Sequence, residues 1–245
     1  MPDCCIHPDL VDLVDVFIPG VSHKAGKRSM NTNSNVMVQG NLTLRIRIPE
    51  SGNPTRILVM LHGWTGDENS MWIFADRLPE RYLVLSPRGL FKTRLGGYSW
   101  QNVTHGGWPK GSDFDPAIKV ILDMVDNLDV SKEIQKDVFD VMGFSQGAAL
   151  AYAMAVSHPG RIGKLAGLSG FFPEGLENKI AAKPFDGKKV FVAHGQKDEL
   201  VPIWKARIVV ESLTTAGAEV AYCEEDVGHK LSAGCFRGLG VYFAN

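Results

Sequence analysis

The sequence predicts an α/β fold with a mostly parallel central sheet and helices on both of its faces. Three observations carry that expectation. Apolar, β-prone runs alternate with helix-forming stretches from about residue 40 to the end of the chain, the pattern of a parallel sheet covered on both sides. Runs such as Ile57-Leu58-Val59-Met60-Leu61 and Val190-Phe191-Val192-Ala193 are apolar throughout, as strands buried on two faces are. The residues best suited to chemistry fall just after such runs, where open α/β sheets place their sites. At 245 residues the chain is long for one domain but within the range of single α/β units, so one domain over residues 1–245 is expected.

Residues 1–35 are the least readable part, an N-terminal extension. Leu10 to Ile18 is apolar enough for an edge strand or a short helix, and Lys24 to Asn35 is polar and turn-rich. Val36 to Ile48 reads as one half-exposed antiparallel strand, because Leu42, Leu44, Ile46 and Ile48 alternate with polar residues. Ile57 to Leu61 and Leu83 to Leu85 are buried strands. Ser86 to Phe114 has no clear period and is expected to be a long functional loop. Asp115 and Pro116 read as the N-cap and first residue of a helix reaching about Leu128. Val138 to Met142 is a strand and Ala148 to Met154 a helix. Leu165 to Leu168 and Val190 to Ala193 are further strands. Pro202 to Ala216 is a helix stopped by Gly217, Glu219 to Tyr222 the last strand, and Ser232 to Phe243 the last helix.

Between the strand Val138–Met142 and the Ala-rich helix lies Gly143-Phe144-Ser145-Gln146-Gly147. A Gly-x-Ser-x-Gly sequence in a strand–turn–helix context is the mark of a nucleophile elbow, whose glycines let the turn close and whose serine projects Oγ outward. Alone, five residues are a weak signal. Two partners strengthen it. Asp198 follows the strand Val190–Ala193 within His194-Gly195-Gln196-Lys197-Asp198, and His229 follows the strand Glu219–Tyr222 within Val227-Gly228-His229-Lys230. The order Ser, Asp, His is that of the α/β-hydrolases.

These residue types suit acyl transfer. A serine hydroxyl is a poor nucleophile at neutral pH, so His229 is expected to take its proton and return it to the leaving group. Asp198 would set the imidazole tautomer and stabilise the imidazolium. The oxyanion needs preorganised donors, for which the backbone N–H groups of Gln146 and of Trp64, in the loop His62-Gly63-Trp64-Thr65-Gly66-Asp67, are the candidates. Glu199 is an alternative acid. His62 and His194 read as histidines that brace loop backbone. Asp67 and Glu68 read as acids complementing a helix start, and Glu224-Glu225-Asp226 as a solvated turn.

Leu61-His62-Gly63 with Gly66-Asp67, Gly96-Gly97-Tyr98-Ser99-Trp100, Gly143-Phe144-Ser145-Gln146-Gly147, His194-Gly195 with Asp198 and Val201-Pro202, and Gly228-His229 together resemble the phospholipase/carboxylesterase family. This is the small, lidless α/β-hydrolase group that includes bacterial carboxylesterases and acyl-protein thioesterases. The resemblance runs from about residue 40 to the C-terminus. It implies an α/β-hydrolase fold without a cap domain, Ser145 as nucleophile, Asp198 as acid, His229 as base, and Trp64 with Gln146 as oxyanion hole. Trp64 is a departure, since many relatives carry a smaller aliphatic residue there. The donor is a backbone group, so its role survives the change.

The interval from Ser145 to Asp198 is filled by a helix and two strands, which also leaves little room for a cap. An open site is expected, with Tyr98, Trp100, Phe171 and Trp204 as pocket-wall candidates and Phe91, Leu95, Trp108 and Phe172 beside them; the alternative for the aromatics of residues 86–114 is that they pack their loop onto the body. Opposing charges nearly cancel (26 basic, 27 acidic), and no basic cluster suits nucleic acid. No apolar run is long enough for a membrane span and no secretory leader is recognisable, so a cytoplasmic location is expected. Cys4, Cys5, Cys223 and Cys235 are expected to be reduced thiols. Neither metal nor cofactor is expected, and the partner is a small ester; a homodimer is left open. The leading expectation is a serine carboxylesterase for short- to medium-chain esters. Lysophospholipase or acyl thioesterase action on longer chains is the alternative within the fold, and a catalytically silent receptor or scaffold the one outside it.

Overall fold

The computed structural model describes residues 34–245, apart from 40–41, 51–52, 103–106 and 131–132. The stretch Leu10 to Ile18, most of Lys24 to Asn35, and Cys4 and Cys5 lie outside the described residues.

The described residues open with β1 (Ser34–Gln39) and β2 (Leu42–Arg47), an antiparallel pair. The single strand expected over this stretch is therefore two. The alternation of Leu42, Leu44 and Ile46 belongs to β2 alone, and β1 exposes Val36, Met37 and Val38. β3 (Arg56–Leu61) and β4 (Tyr82–Pro87) follow. The segment expected to be an aperiodic loop holds two short antiparallel strands, β5 (Phe91–Lys92) and β6 (Tyr98–Ser99), and a 3-10 turn at Gly111–Phe114. That turn runs into α1 (Asp115–Asp126), so Phe114 rather than Asp115 is the N-cap and Pro116 stands second in the helix. Then come β7 (Phe139–Phe144), α2 (Gln146–Ser157), β8 (Ile162–Leu168), α3 (Glu177–Ile180), β9 (Lys189–Gly195), α4 (Ile203–Thr215), β10 (Glu219–Glu225) and α5 (Ala233–Ala244).

The main sheet has the order β1-β2-β4-β3-β7-β8-β9-β10. β4, β3, β7, β8, β9 and β10 are mutually parallel, and β2 joins β4 antiparallel. Alternate residues of each strand serve opposite faces. Ile57, Val59 and Leu61 of β3 pack in the layer built with α1, α2 and α4, while Leu58 and Met60 pack with α5 and the 3-10 turn Trp72–Arg77. This two-sided burial is why β3 is apolar from Ile57 to Leu61 and β7 from Val141 to Phe144. α2 is buried around nearly its whole circumference, which its run of Ala, Leu and Met permits. No described helix is long and apolar enough to cross a membrane.

Candidate active site

The site candidates gather where β3, β7, β8, β9 and β10 end. β7 delivers Ser145 into the turn before α2 with φ 53° and ψ −116°. A serine in that region carries strain on the order of 1–3 kcal/mol, so its surroundings must hold it. Ser145 N–H donates to the Leu168 carbonyl at 2.8 Å, and the Ser145 carbonyl accepts from Ala148 and Ala149 at 3.0 and 3.2 Å. The flanking glycines are required by close approach. A Cβ at Gly143 would stand 2.2 Å from the Gly147 carbonyl oxygen, and one at Gly147 would stand 2.1 Å from that of Leu61.

The loop after β3 passes directly beside the elbow. A Cβ on Gly63 would come within 3.3 Å of the Ser145 Cβ. Neither Trp64 N–H nor Gln146 N–H donates to any acceptor among the described residues. Both are thus available to an oxyanion, and Gln146 N–H adds the positive end of α2. His62 holds this loop. Its Nε2 accepts from Gly89 N–H at 2.8 Å, so Nδ1 carries the proton and donates to the Gly63 carbonyl at 2.6 Å. Burial pushes the His62 imidazole down to about 4, leaving it neutral.

A second layer braces the loop. Thr65 N–H donates to the Tyr98 carbonyl and Tyr98 N–H to the Gly66 carbonyl, both at 2.9 Å. Gly97 has φ 62°, and a Cβ there would lie 1.7 Å from the Thr65 carbonyl oxygen. The Gln146 side chain accepts from Trp100 N–H and donates to Ser99 Oγ, both at 3.0 Å. Arg88 grips Glu68 with two hydrogen bonds of 2.6 and 2.7 Å and reaches the Tyr98 hydroxyl at 3.2 Å. The Arg88 guanidinium holds the Glu68 carboxyl below its ordinary value. Glu68 therefore pairs with a neighbouring loop instead of complementing a helix start, while Asp67 caps the turn through Asn69 N–H at 2.9 Å.

β9 and β10 bring the other two candidates together. His229 Nδ1–H donates to Asp198 Oδ2 at 2.7 Å, and the His229 ring lies 5.0 Å from that of Phe144, next to Ser145. Asp198 Oδ1 accepts from Leu200 and Val201 N–H at 3.0 and 2.8 Å, and the side chain has no solvent exposure. Two backbone bonds tie the loops, Gln196 N–H to the Glu225 carbonyl and Lys197 N–H to that of Val227. Glu224 and Glu225 belong to β10, and the expected solvated turn is reduced to Asp226. Glu224 accepts from Tyr222, Arg207 and Gln196.

The pocket-wall candidates divide. Trp100 is fully buried and donates from Nε1 to the His62 carbonyl at 2.7 Å, so it supports the Trp64 loop from beneath and lines no open wall. Tyr98 lies under Arg88 and serves the same brace. Phe171 follows Gly170, where a Cβ would lie 3.2 Å from the Ser145 carbonyl oxygen, and its ring meets Trp108 edge-on at 4.6 Å. The Lys205 ammonium sits 4.5 Å from the Trp108 ring and 4.8 Å from that of Trp204, which is 52% exposed. Phe172 packs on Tyr152 instead. Two cavities lie elsewhere: one of about 140 Å³ bordered by Lys110, Ser157 and Lys179, and one of about 10 Å³ beside Phe74 and Phe236.

Sequence reasoning missed Ser169. It directly follows β8 with φ 46°, is fully buried, and its hydroxyl has no partner among the described residues. The Gln146 amide, Ser99 and Arg88 were missed as well, although the Gly96–Trp100 stretch signalled a fixed turn. The expectation of reduced thiols fails for Cys223 and Cys235. They form a disulfide from β10 to α5, because strand–helix packing brings their Cα atoms to 5.7 Å. Among the described residues, Cys223, Glu225 and Cys235 form the one group of three whose ligand-type atoms all lie within 4.8 Å of one another, and the disulfide occupies both sulfurs.

Residues 45–237 match the family described as Phospholipase/Carboxylesterase. Acyl-protein thioesterase 1 of Kluyveromyces lactis is 28% identical over 175 residues, 64% of this chain and 76% of that protein. A rice protein (Oryza sativa subsp. japonica) named a probable inactive carboxylesterase is 30% identical over 196 residues, 72% of this chain and 79% of its own length. The crystal structure of a carboxylesterase from Mesorhizobium loti superposes with a TM-score of 0.72 at 19% identity, covering 87% of this chain and 99% of that one. That likeness establishes the α/β-hydrolase fold.

Proposed function

The chain belongs to the phospholipase/carboxylesterase family, and from that premise we propose that it is a serine carboxylesterase acting on short- to medium-chain esters. The observation that carries the reading is one arrangement at one sheet edge. Ser145 sits strained at the elbow, beside it are two backbone N–H groups without an acceptor among the described residues, and His229 is hydrogen-bonded to a buried Asp198.

In this reading Ser145 Oγ attacks the ester carbonyl while His229 Nε2 takes its proton. The carbonyl oxygen becomes an oxyanion held by Trp64 and Gln146 N–H, each worth about 2.7–4 kcal/mol in the transition state. Collapse expels the alkoxide, which takes the proton from His229 and leaves as the alcohol, with an acyl-Ser145 left behind. Water, deprotonated by His229, attacks the acyl group; His229 returns that proton to Ser145 Oγ as the acid is released. Asp198 keeps the proton of His229 on Nδ1 and stabilises the imidazolium at both steps.

The substrate class rests on an open site. Trp64 and Trp204 are 38% and 52% exposed, and Phe171 and Trp108 fill the ground beside the elbow with each other. A second reading, hydrolysis of acyl thioesters, draws support from the name of the Kluyveromyces lactis relative and uses the same residues. Hydrolysis of p-nitrophenyl esters from acetyl to palmitoyl, measured beside a long-chain acyl thioester, decides between them. The esterase reading expects a rate that peaks at short to medium chains, stoichiometric fluorophosphonate labelling of Ser145, and loss of both in Ser145→Ala. A palmitoyl thioester turned over faster than every oxygen ester would select the thioesterase. Absence of both labelling and turnover would leave a silent receptor.

A further inference from the structure

We infer that the Cys223–Cys235 bond is a redox modification site, and that its reduction by a dithiol loosens the segment carrying His229 and lowers turnover. The inference rests on the role given to His229 above and adds control over it.

His229 lies inside the loop that this bond closes. Cys223 is in β10, Cys235 is the third residue of α5, and 12 positions separate them. The segment 226–232 between strand and helix is fastened unevenly. On the β10 side, Gln196 N–H donates to the Glu225 carbonyl at 2.8 Å and Lys197 N–H to that of Val227 at 3.0 Å. Among the described residues, no backbone group from Gly228 to Ser232 bonds to anything beyond this segment and α5. The backbone of His229 is therefore placed by where α5 begins. That helix is firmly held at its far end. Tyr242 Oη donates to the Lys189 carbonyl at 2.7 Å, Arg81 donates to the Phe243 and Ala244 carbonyls, and Leu239 and Phe243 are buried. At its near end Phe236 packs on Phe74 with ring centroids 5.5 Å apart. Among the described residues, the disulfide is the one bond that joins this first turn to β10.

Cys223 offers the sulfur to attack. β10 is the outer strand of the sheet and Cys223 is half-buried there, while Cys235 is buried. A dithiol reduces the bond in two exchanges. Its first thiolate attacks Cys223 Sγ, the S–S bond breaks, and Cys235 leaves as a thiolate that takes a proton. Its second thiol, losing its own proton, displaces Cys223 from the mixed disulfide, and Cys223 is protonated in turn. Two electrons and two protons pass to the protein, and the reductant ends as its own disulfide. The cross-link acts mainly by denying the segment its open forms, since both ends are pinned. Once it is cut, the first turn of α5 frays from β10 and residues 228–232 follow. His229 then spends less time aligned with Asp198 and Ser145, and a small misplacement of a catalytic group is costly in rate.

Reversible reduction of the whole protein tests the assignment. Dithiothreitol is the dithiol, and peptide mapping of quenched samples distinguishes the thiols of Cys223 and Cys235 from those of Cys4 and Cys5. Reduction of the bond is expected to lower kcat for a short-chain p-nitrophenyl ester on the order of 10-fold with little change in KM. It is also expected to open tryptic cleavage after Lys230, and reoxidation to reverse both effects. Cys223→Ala combined with Cys235→Ala should stay at the reduced level with or without dithiol. Unchanged kcat in the reduced protein would overturn the inference, and so would a fall in kcat with Lys230 still uncut. A bond that dithiothreitol leaves intact in the folded protein would do the same. Activity lost together with the whole chain's circular dichroism would make the bond a general staple and overturn it as well. Cleavage at Lys230 needs no turnover. A protein that neither labels with fluorophosphonate nor turns over in either redox state sinks the esterase reading. A reduced protein that labels and turns over as fast as the oxidised one sinks this inference alone.

Discussion

The parallel strands end differently at their two edges. At the N-terminal edge, Asp140 of β7 is fully buried and both of its oxygens are taken. Arg56 of β3 donates at 2.6 and 3.1 Å, the Tyr82 hydroxyl of β4 at 2.7 Å, and Lys164 N–H of β8 at 2.7 Å. Four adjacent strands are joined through one carboxylate. At the C-terminal edge the same strands stop with groups unmet. Among the described residues, Trp64 and Gln146 N–H have no acceptor and Ser169 Oγ and His194 Nδ1 have no partner, and Thr65, Ser145 and Ser169 hold positive φ. Unmet valence and strain gather where a substrate would supply what is missing, while satisfied polar groups fasten the opposite edge.

The sharpest way to break this contrast is to alter one edge and read both properties. Ser145→Ala should lower kcat by a factor on the order of a million while leaving thermal stability nearly unchanged. Ester hydrolysis and a melting curve on the same preparation check it. Asp140→Ala should do the reverse, destabilising the fold by about 3–5 kcal/mol because Tyr82 and Arg56 lose a buried partner. Its activity per folded molecule should match the wild type. A large activity loss in folded Asp140→Ala, measured by active-site titration, would show the two edges to be coupled.

A pH experiment sharpens the contrast within the C-terminal edge. His62 is depressed from 6.5 to about 4 by burial, so between those values the unfolded chain binds a proton that the folded one refuses. Stability must then fall as pH drops from 6.5 towards 4, by up to roughly 3 kcal/mol from this group. His194 contributes with the same sign, but equally in a variant that keeps it. Urea unfolding of wild type and His62→Gln across this range should show a shallower acid loss in the variant. Parallel curves would mean that folded His62 accepts its proton readily and that the Trp64 loop is less tightly held than its geometry implies.

Local sequence told a good deal of this. Uninterrupted apolar runs and alternating helices gave the fold class, because two-sided burial leaves a direct mark on composition. Ser145, Asp198 and His229 stood out through glycine spacing and strand ends, which are also local. Trp100 takes the packing alternative and not the pocket wall, a choice the sequence left open because an aromatic among glycines looks the same whether it faces a pocket or wedges beneath a loop. The approach of Gly97 to Thr65, which aims it inward, is a tertiary fact. The Cys223–Cys235 bond was invisible for a similar reason, since it depends on how α5 lies across β10. The Glu68–Arg88 pair joins the loops that follow β3 and β4, two strands whose adjacency no single-sequence pattern reveals.

The Gln146 side chain gives the smallest effect expected here. Its backbone N–H is a candidate oxyanion donor, and its amide ties α2 to Ser99 and Trp100. Gln146→Ala keeps the backbone donor and cuts the tie. Trp100 N–H is then left buried without an acceptor, at a cost of about 1–3 kcal/mol in stability. If the tie serves only the fold, kcat stays at the wild-type value. If it also sets the gap between the Gln146 and Trp64 N–H groups, kcat falls on the order of several-fold while KM holds, since the misplaced donor matters only once the oxyanion forms. Steady-state kinetics on a short-chain p-nitrophenyl ester separates the two, and we expect the fall in kcat. The tie runs from the elbow to the segment that also holds the Trp64 loop, so slack in it is passed to both donors at once.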